Sequence, residues 1–192
     1  MIKKRIFAYG IDFIIVTIVT AFIFSFITVA TSSEEYIKSY ENYMTVTNDY
    51  LNDEATEDEV IKSEYEMMQS SKTLNIIKIA TTLTYFSILP FLMNGQTLGK
   101  KITKIKVVSN NEKPLHPGLM FLRGIIVSLV FIDIINILAL MLASRTVWYN
   151  LTYFTSALTY TMYLVLIEFA IFRKDKRSLH DLIANTKVIE TK

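Results

Sequence analysis

Five ionisable residues, Arg5, Asp12, Arg123, Glu168 and Asp181, stand within or beside stretches that are otherwise almost wholly apolar. An ionised group in hydrocarbon costs at least a few kcal/mol unless it is paired or hydrated, so such residues are expected to find one another. Arg5, Ala8, Tyr9 and Asp12 recur at helical spacing. Arg5 and Asp12 then share one stripe, about 10 Å apart along the axis and too far apart for a direct ion pair. Counted from the same membrane boundary, Asp12 lies about 9 Å deep, and Arg123 and Glu168 about 6 Å deep. The expectation is a polar plug in which Arg5, Asp12, Arg123 and Glu168 converge, with Asp181 closing it from below. Two chemistries fit such a cluster. One is an ion-pair lock that holds helices in register. The other is a titrating site that exchanges a proton for a cation, because adjacent carboxylates beside arginine can have displaced pKa values. Three acids against two arginines keep the second open.

A second set lies nearer the opposite face. Asp133 falls about 9 Å and Lys78 about 6 Å from the outer boundary, so they can pair across helices, or Lys78 can snorkel to the interface. Asn136, three residues after Asp133, shares its face and could hydrogen-bond in the same layer. A third set is loop chemistry. Gly95 and Gly99 frame Gln96, Thr97 and Leu98, and Lys100 follows. The glycines are too few and in the wrong order for a phosphate loop, so an interfacial turn is expected, running into a strand with its lysines on anionic headgroups. His180 beside Asp181 can cap or brace, or relay a proton. His116 reads as a loop residue, and two histidines this far apart form no metal signature. Neither a metal nor a cofactor is expected.

The elements that must position these residues are membrane helices. Of 192 residues, 52% are hydrophobic and only 20% charged, which excludes an ordinary soluble domain. A net charge of +2 carries no excess that would favour nucleic acid, and the absence of cysteine excludes disulfides and thiol catalysis. Stretches 6–30, 74–93, 119–143 and 151–172 each reach the roughly 20 apolar residues that span a bilayer. The first also resembles a signal peptide, but its apolar run is too long and contains Asp12, so it is expected to stay as a helix. Lys and Arg concentrate in residues 1–5, 95–118 and 173–192, while residues 31–73 are strongly acidic. By the positive-inside rule both termini are cytoplasmic and the acidic insertion is outside. Val60, Ile61, Tyr65 and Met68 give that insertion helical periodicity. The predicted fold is therefore all-α: one domain over 1–192, a four-helix transmembrane bundle with a helical acidic external loop and a small cytoplasmic strand pair, Thr186–Ile189 matching the strand that carries Ile102, Ile105, Val107 and Val108 and ends at Asn110 and Asn111.

Four motifs in order resemble the RDD family of small bacterial membrane proteins. They are Arg5, Ala8 and Asp12 in KKRIFAYGIDFII, the segment NGQTLGKKITKIKVV, Arg123 in PGLMFLRGII, and SLHDLIANTKVI with His180 and Asp181. The departures are Asn185, where a glycine is common, and the long acidic insertion. The resemblance implies a multi-pass protein of a bacterial plasma membrane, and some family members are associated with cation/proton antiport. Transport by so small a chain would call for a homo-oligomer. The competing reading is a non-catalytic protein that binds or regulates another membrane protein through its spans or acidic loop. An enzyme is not expected, since Ser128 and Ser156 have no partner base.

Overall fold

The structure, a computed structural model, describes residues 1–31, 34–111 and 113–191. Ser32 and Ser33, inside the acidic insertion, lie outside the described residues. Helix α1 (Ile2–Thr31) is followed by α2 (Glu34–Leu51) and α3 (Glu57–Ser70). Next comes α4 (Lys72–Leu92), whose Thr84–Ile88 turn is π-helical. A short α5 (Leu98–Ile102) leads into β1 (Ile105–Ser109). The chain closes with α6 (Pro117–Ser128), α7 (Val130–Leu142), α8 (Arg145–Phe172), α9 (Leu179–Ile183) and β2 (Thr186–Glu190).

Among the described residues three helices, α1, α4 and α8, are long and apolar enough to cross a membrane, and the α6–α7 pair makes a fourth if its two parts are one span. Phe22 and Phe26 on α1 and Tyr160 on α8 are at least 70% exposed, a surface that only a hydrocarbon solvent tolerates in this density.

The expected unbroken helix over 119–143 is not what forms. The chain bends by 77° between α6 and α7, at Leu129, whose φ is +54°. Ser128 explains how the break is tolerated. Its hydroxyl donates to the Gly124 carbonyl at 2.8 Å and accepts from the Val130 N–H at 3.4 Å, meeting backbone needs that the helix no longer meets. Gly124 sets where α6 crosses α4: a Cβ there would lie 2.0 Å from Ser87 Oγ and 2.7 Å from the Phe86 carbonyl, inside the π turn.

The acidic insertion is a helical hairpin, in keeping with its periodicity. Thr56 and Glu59 form a capping box at the start of α3, the Thr56 N–H donating to Glu59 Oε2 at 2.8 Å. The hairpin docks on the membrane helices through Tyr65, whose ring meets buried Trp148 edge-on at 5.3 Å. Gln69 Nε2 adds a bond to the Leu140 carbonyl at 2.7 Å, and Arg145 pairs with Asp58 at 2.8 Å.

At the other end, β1 and β2 form an antiparallel pair with Val107 opposite Val188. Ile105 and Val107 point inward and are fully buried. Asn185, in the turn before β2, has φ +47°, a conformation in which glycine is easiest and asparagine is the best-tolerated substitute. His116 is the N-cap of α6, its Nδ1 accepting from the Gly118 N–H at 3.2 Å.

Candidate functional site

The interior charges separate into two anchors and an outer pair rather than one plug. Asp181 is the first anchor. Ser178 starts α9, and the Ser178 N–H donates to Asp181 Oδ2 at 3.3 Å, which turns the carboxylate back toward the bundle. Arg123 on α6 donates to Asp181 Oδ1 from both Nε (3.2 Å) and a terminal nitrogen (2.9 Å). Arg5 on α1 donates to Oδ2 and to the Lys176 carbonyl. Asp181 is fully buried and Arg123 is 2% exposed. One carboxylate thus ties together α1, α6 and α9. Burial by itself would raise the Asp181 carboxyl, but the charge of Arg123, then His180 and Arg5, and the Arg123 hydrogen bonds outweigh it and hold the group below the usual carboxylate range.

Asp12 is the second anchor, and no arginine reaches it. Its Oδ1 accepts from the Tyr85 hydroxyl at 2.6 Å and from the Gly99 N–H at 2.7 Å, and its Oδ2 accepts from the Thr97 hydroxyl at 2.5 Å. The reason is packing. The Gln-Thr-Leu-Gly segment is not a turn on the membrane surface as expected but enters between the helices, with Thr97 0% and Asp12 1% exposed. Gly99 permits this: a Cβ would lie 2.2 Å from the Ala8 carbonyl and 2.7 Å from Asp12 Oδ1. Gly95 has φ +89° and backs onto Val107, whose N–H donates to the Gly95 carbonyl at 2.8 Å. Gln96 Nε2 donates to the Ile105 carbonyl at 3.0 Å. The segment therefore joins α1 to the strand pair, each residue type having its own contact.

Glu168 does not join either anchor. It is exposed on α8, because Leu166 faces the core and a residue two positions on lies about 200° around the helix. The expected convergence of Arg5, Asp12, Arg123 and Glu168 is thus replaced by Asp181 holding the arginines and neutral donors holding Asp12. Partners that the sequence reading missed are Tyr85, Thr97 and the Gly99 N–H. A helix-depth count treats loops as lying outside the bundle, so it could not bring residues 97–99 to Asp12.

His180 is buried beside Asp181, with Nε2 3.5 Å from Oδ1, while its Nδ1 has no hydrogen-bond partner among the described residues. Burial, reinforced by the Arg123 charge and opposed by Asp181, pushes the imidazole down to about 3. The folded protein therefore resists taking up a proton that the unfolded chain accepts near pH 6.5, and stability falls as pH drops below that value. Between pH 6.5 and 5 the expected loss is about 2 kcal/mol, and His180→Gln should flatten that slope in thermal unfolding followed from pH 7.5 to 5.

At the opposite end, Lys78 Nζ donates to Asp133 Oδ1 at 3.0 Å, both side chains remaining partly exposed. Asn136 does not join them. Its Oδ1 accepts from the Thr155 hydroxyl at 2.9 Å instead. Three half-open pockets follow one another along the helices and share lining residues, called outer, middle and inner from the Trp148 end to the His180 end. An outer one of about 120 Å³ and a middle one of about 500 Å³ have Lys78 and Asp133 in common. The middle one and an inner one of about 150 Å³ share Tyr9, Phe86 and Tyr163. The middle cavity is also lined by Ser128 and Leu129, where the chain bends between α6 and α7. Three buried side-chain polar atoms lack a partner among the described residues, on Thr152, Thr20 and His180. They line the outer, middle and inner cavities in turn.

A family model described as the RDD family matches residues 1–185 of the chain. No curated protein and no solved structure matches it.

Proposed function

The chain belongs to the RDD family, and from that premise we propose that it is a four-crossing protein of a bacterial plasma membrane, with both termini cytoplasmic, that exchanges a cation for a proton at the Lys78–Asp133 pair. The carrying observation is that the three unpartnered buried polar atoms each line one of three adjoining cavities. Unpaired polar groups are rare in packed interiors and are expected where water or ions pass. The broken α6–α7 span supports the same reading, since irregular backbone at membrane depth is tolerated where it lines a hydrated cavity, and discontinuous helices recur at ion sites of transporters. Arg123 on α6 meets the terminal segment while Leu140 on α7 meets the external hairpin, which supports counting the pair as one crossing. The positions of the lysines and arginines support the orientation.

Exchange at Lys78 and Asp133 is electrically balanced. An entering monovalent cation takes the carboxylate as a proton leaves the pair, carried off as hydronium by water on the path, so one positive charge facing Asp133 replaces another. Asp181 and Asp12, saturated by their partners, hold the helices around the path. In proteoliposomes carrying a proton-sensitive dye, a cation pulse should move protons with the native chain, Asp133→Asn should reduce that flux about tenfold or more, and Glu168→Gln should match the native chain. Absence of proton-coupled flux in folded native protein, or undiminished flux in Asp133→Asn, would remove the proposal.

A further inference from the structure

Beyond ion exchange, we propose that the inner cavity is a binding site for an anionic glycerophospholipid of the cytoplasmic leaflet, with its phosphate at Lys100 and a headgroup hydroxyl at His180. Within the cavity the positive charges are Arg5, Lys100 and Arg123, against the carboxylates of Asp12 on its wall and Asp181 behind it. That leaves one cation in excess. It is Lys100: Nζ bonds to Thr97 Oγ1 at 3.3 Å and forms no ion pair among the described residues. Its surroundings disfavour the charge, burial pushing the ammonium down to about 8, which is the condition an anionic ligand relieves.

His180 is the second observation. Its Nε2 faces Asp181 Oδ1, so the ring proton belongs on that nitrogen and Nδ1 is left as an acceptor. That buried, unpartnered acceptor suits a hydroxyl donor rather than a second phosphate oxygen. The remaining walls are aliphatic. Ile6 on α1 and Ile167 and Ile171 on α8 are at least 40% exposed and lie between two helices that meet through Tyr9 and Tyr163. A free phosphate ion would have no use for those walls, whereas an acyl chain leaves between the helices into the leaflet.

The test needs no ion gradient, so it fails or succeeds separately from the exchange reading. Full-length protein, delipidated in detergent, is mixed with phosphatidylglycerol, phosphatidylcholine or inorganic phosphate and analysed by native mass spectrometry. Phosphatidylglycerol should be retained about tenfold more than phosphatidylcholine, Lys100→Gln should lose that preference, and Lys101→Gln, an exposed neighbour, should keep it. If Lys100→Gln does not fold, thermal stability of the native chain decides: phosphatidylglycerol alone among the three should raise Tm. Equal retention of the two lipids, retention unchanged in folded Lys100→Gln, or equal stabilisation by inorganic phosphate would overturn the assignment.

Discussion

Asp181→Asn is expected to destabilise the protein by about 3–5 kcal/mol, the cost of leaving buried charges without their counter-ion. The substitution keeps size and shape but removes the negative charge that pairs with Arg123 and Arg5. Arg123 is 2% exposed, so its guanidinium cannot turn to solvent. The amide can still accept at one oxygen, but its nitrogen becomes a donor facing donors. Because the carboxylate lies below its ordinary range, the sign of its pH dependence is fixed: the contribution is present above the unfolded value and is lost only as pH falls through the lower folded value. Native protein therefore keeps this anchor throughout pH 5–8. Unfolding in mixed micelles, read by the single tryptophan, Trp148, should show the loss as a global shift, since Trp148 is buried at the opposite end of the bundle.

Asp12 should behave differently although it is equally buried. Asp12→Ala strands the Tyr85 hydroxyl, the Thr97 hydroxyl and the Gly99 N–H, three donors at about 1–3 kcal/mol each, so a loss of about 4 kcal/mol is expected. Asp12→Asn should cost only about 1–2 kcal/mol, because the amide oxygen still accepts from Tyr85 and Gly99 and the Thr97 hydroxyl can turn to accept from the amide nitrogen. If Asp12 were instead an arginine partner, the Asn variant would be nearly as damaging as Asp181→Asn. The comparison is made on the same unfolding assay, with the order Asp181→Asn, then Asp12→Asn, as the discriminating result.

These contrasts also mark what could be read from the residues alone. Helix periodicity and the roughly 30 Å hydrocarbon thickness were enough to locate α1, α4 and α8, because both are one-dimensional properties of the chain. Tyr65 and Met68 similarly marked a helix in the acidic insertion. The strand pair was legible from two short apolar stretches, one with Ile105, Val107 and Val108 and the other Thr186–Ile189. The bend at Leu129 was not, since no proline or glycine stands there and the apolar run is continuous. The Ser128 hydroxyl that supports it, by accepting from the Val130 N–H, is a local backbone contact that hydropathy does not register. Charge pairing was half legible. That Arg5, Arg123 and Asp181 must be neutralised follows from their cost in hydrocarbon, but which carboxylate serves which cation depends on azimuth and on how far the Thr97–Gly99 segment enters. Glu168 illustrates the limit: its depth matched Arg123, and its side of the helix did not.

Asp181 holds α1 and α6 together by binding both arginines. A double-mutant cycle on Arg123→Gln and Asp181→Asn, measured by reversible unfolding in micelles, tests it most directly. A coupling of about 2 kcal/mol or more is expected, with the double variant more stable than the sum of the single losses allows. Losses that simply add, with coupling within about 0.5 kcal/mol of zero, would contradict it.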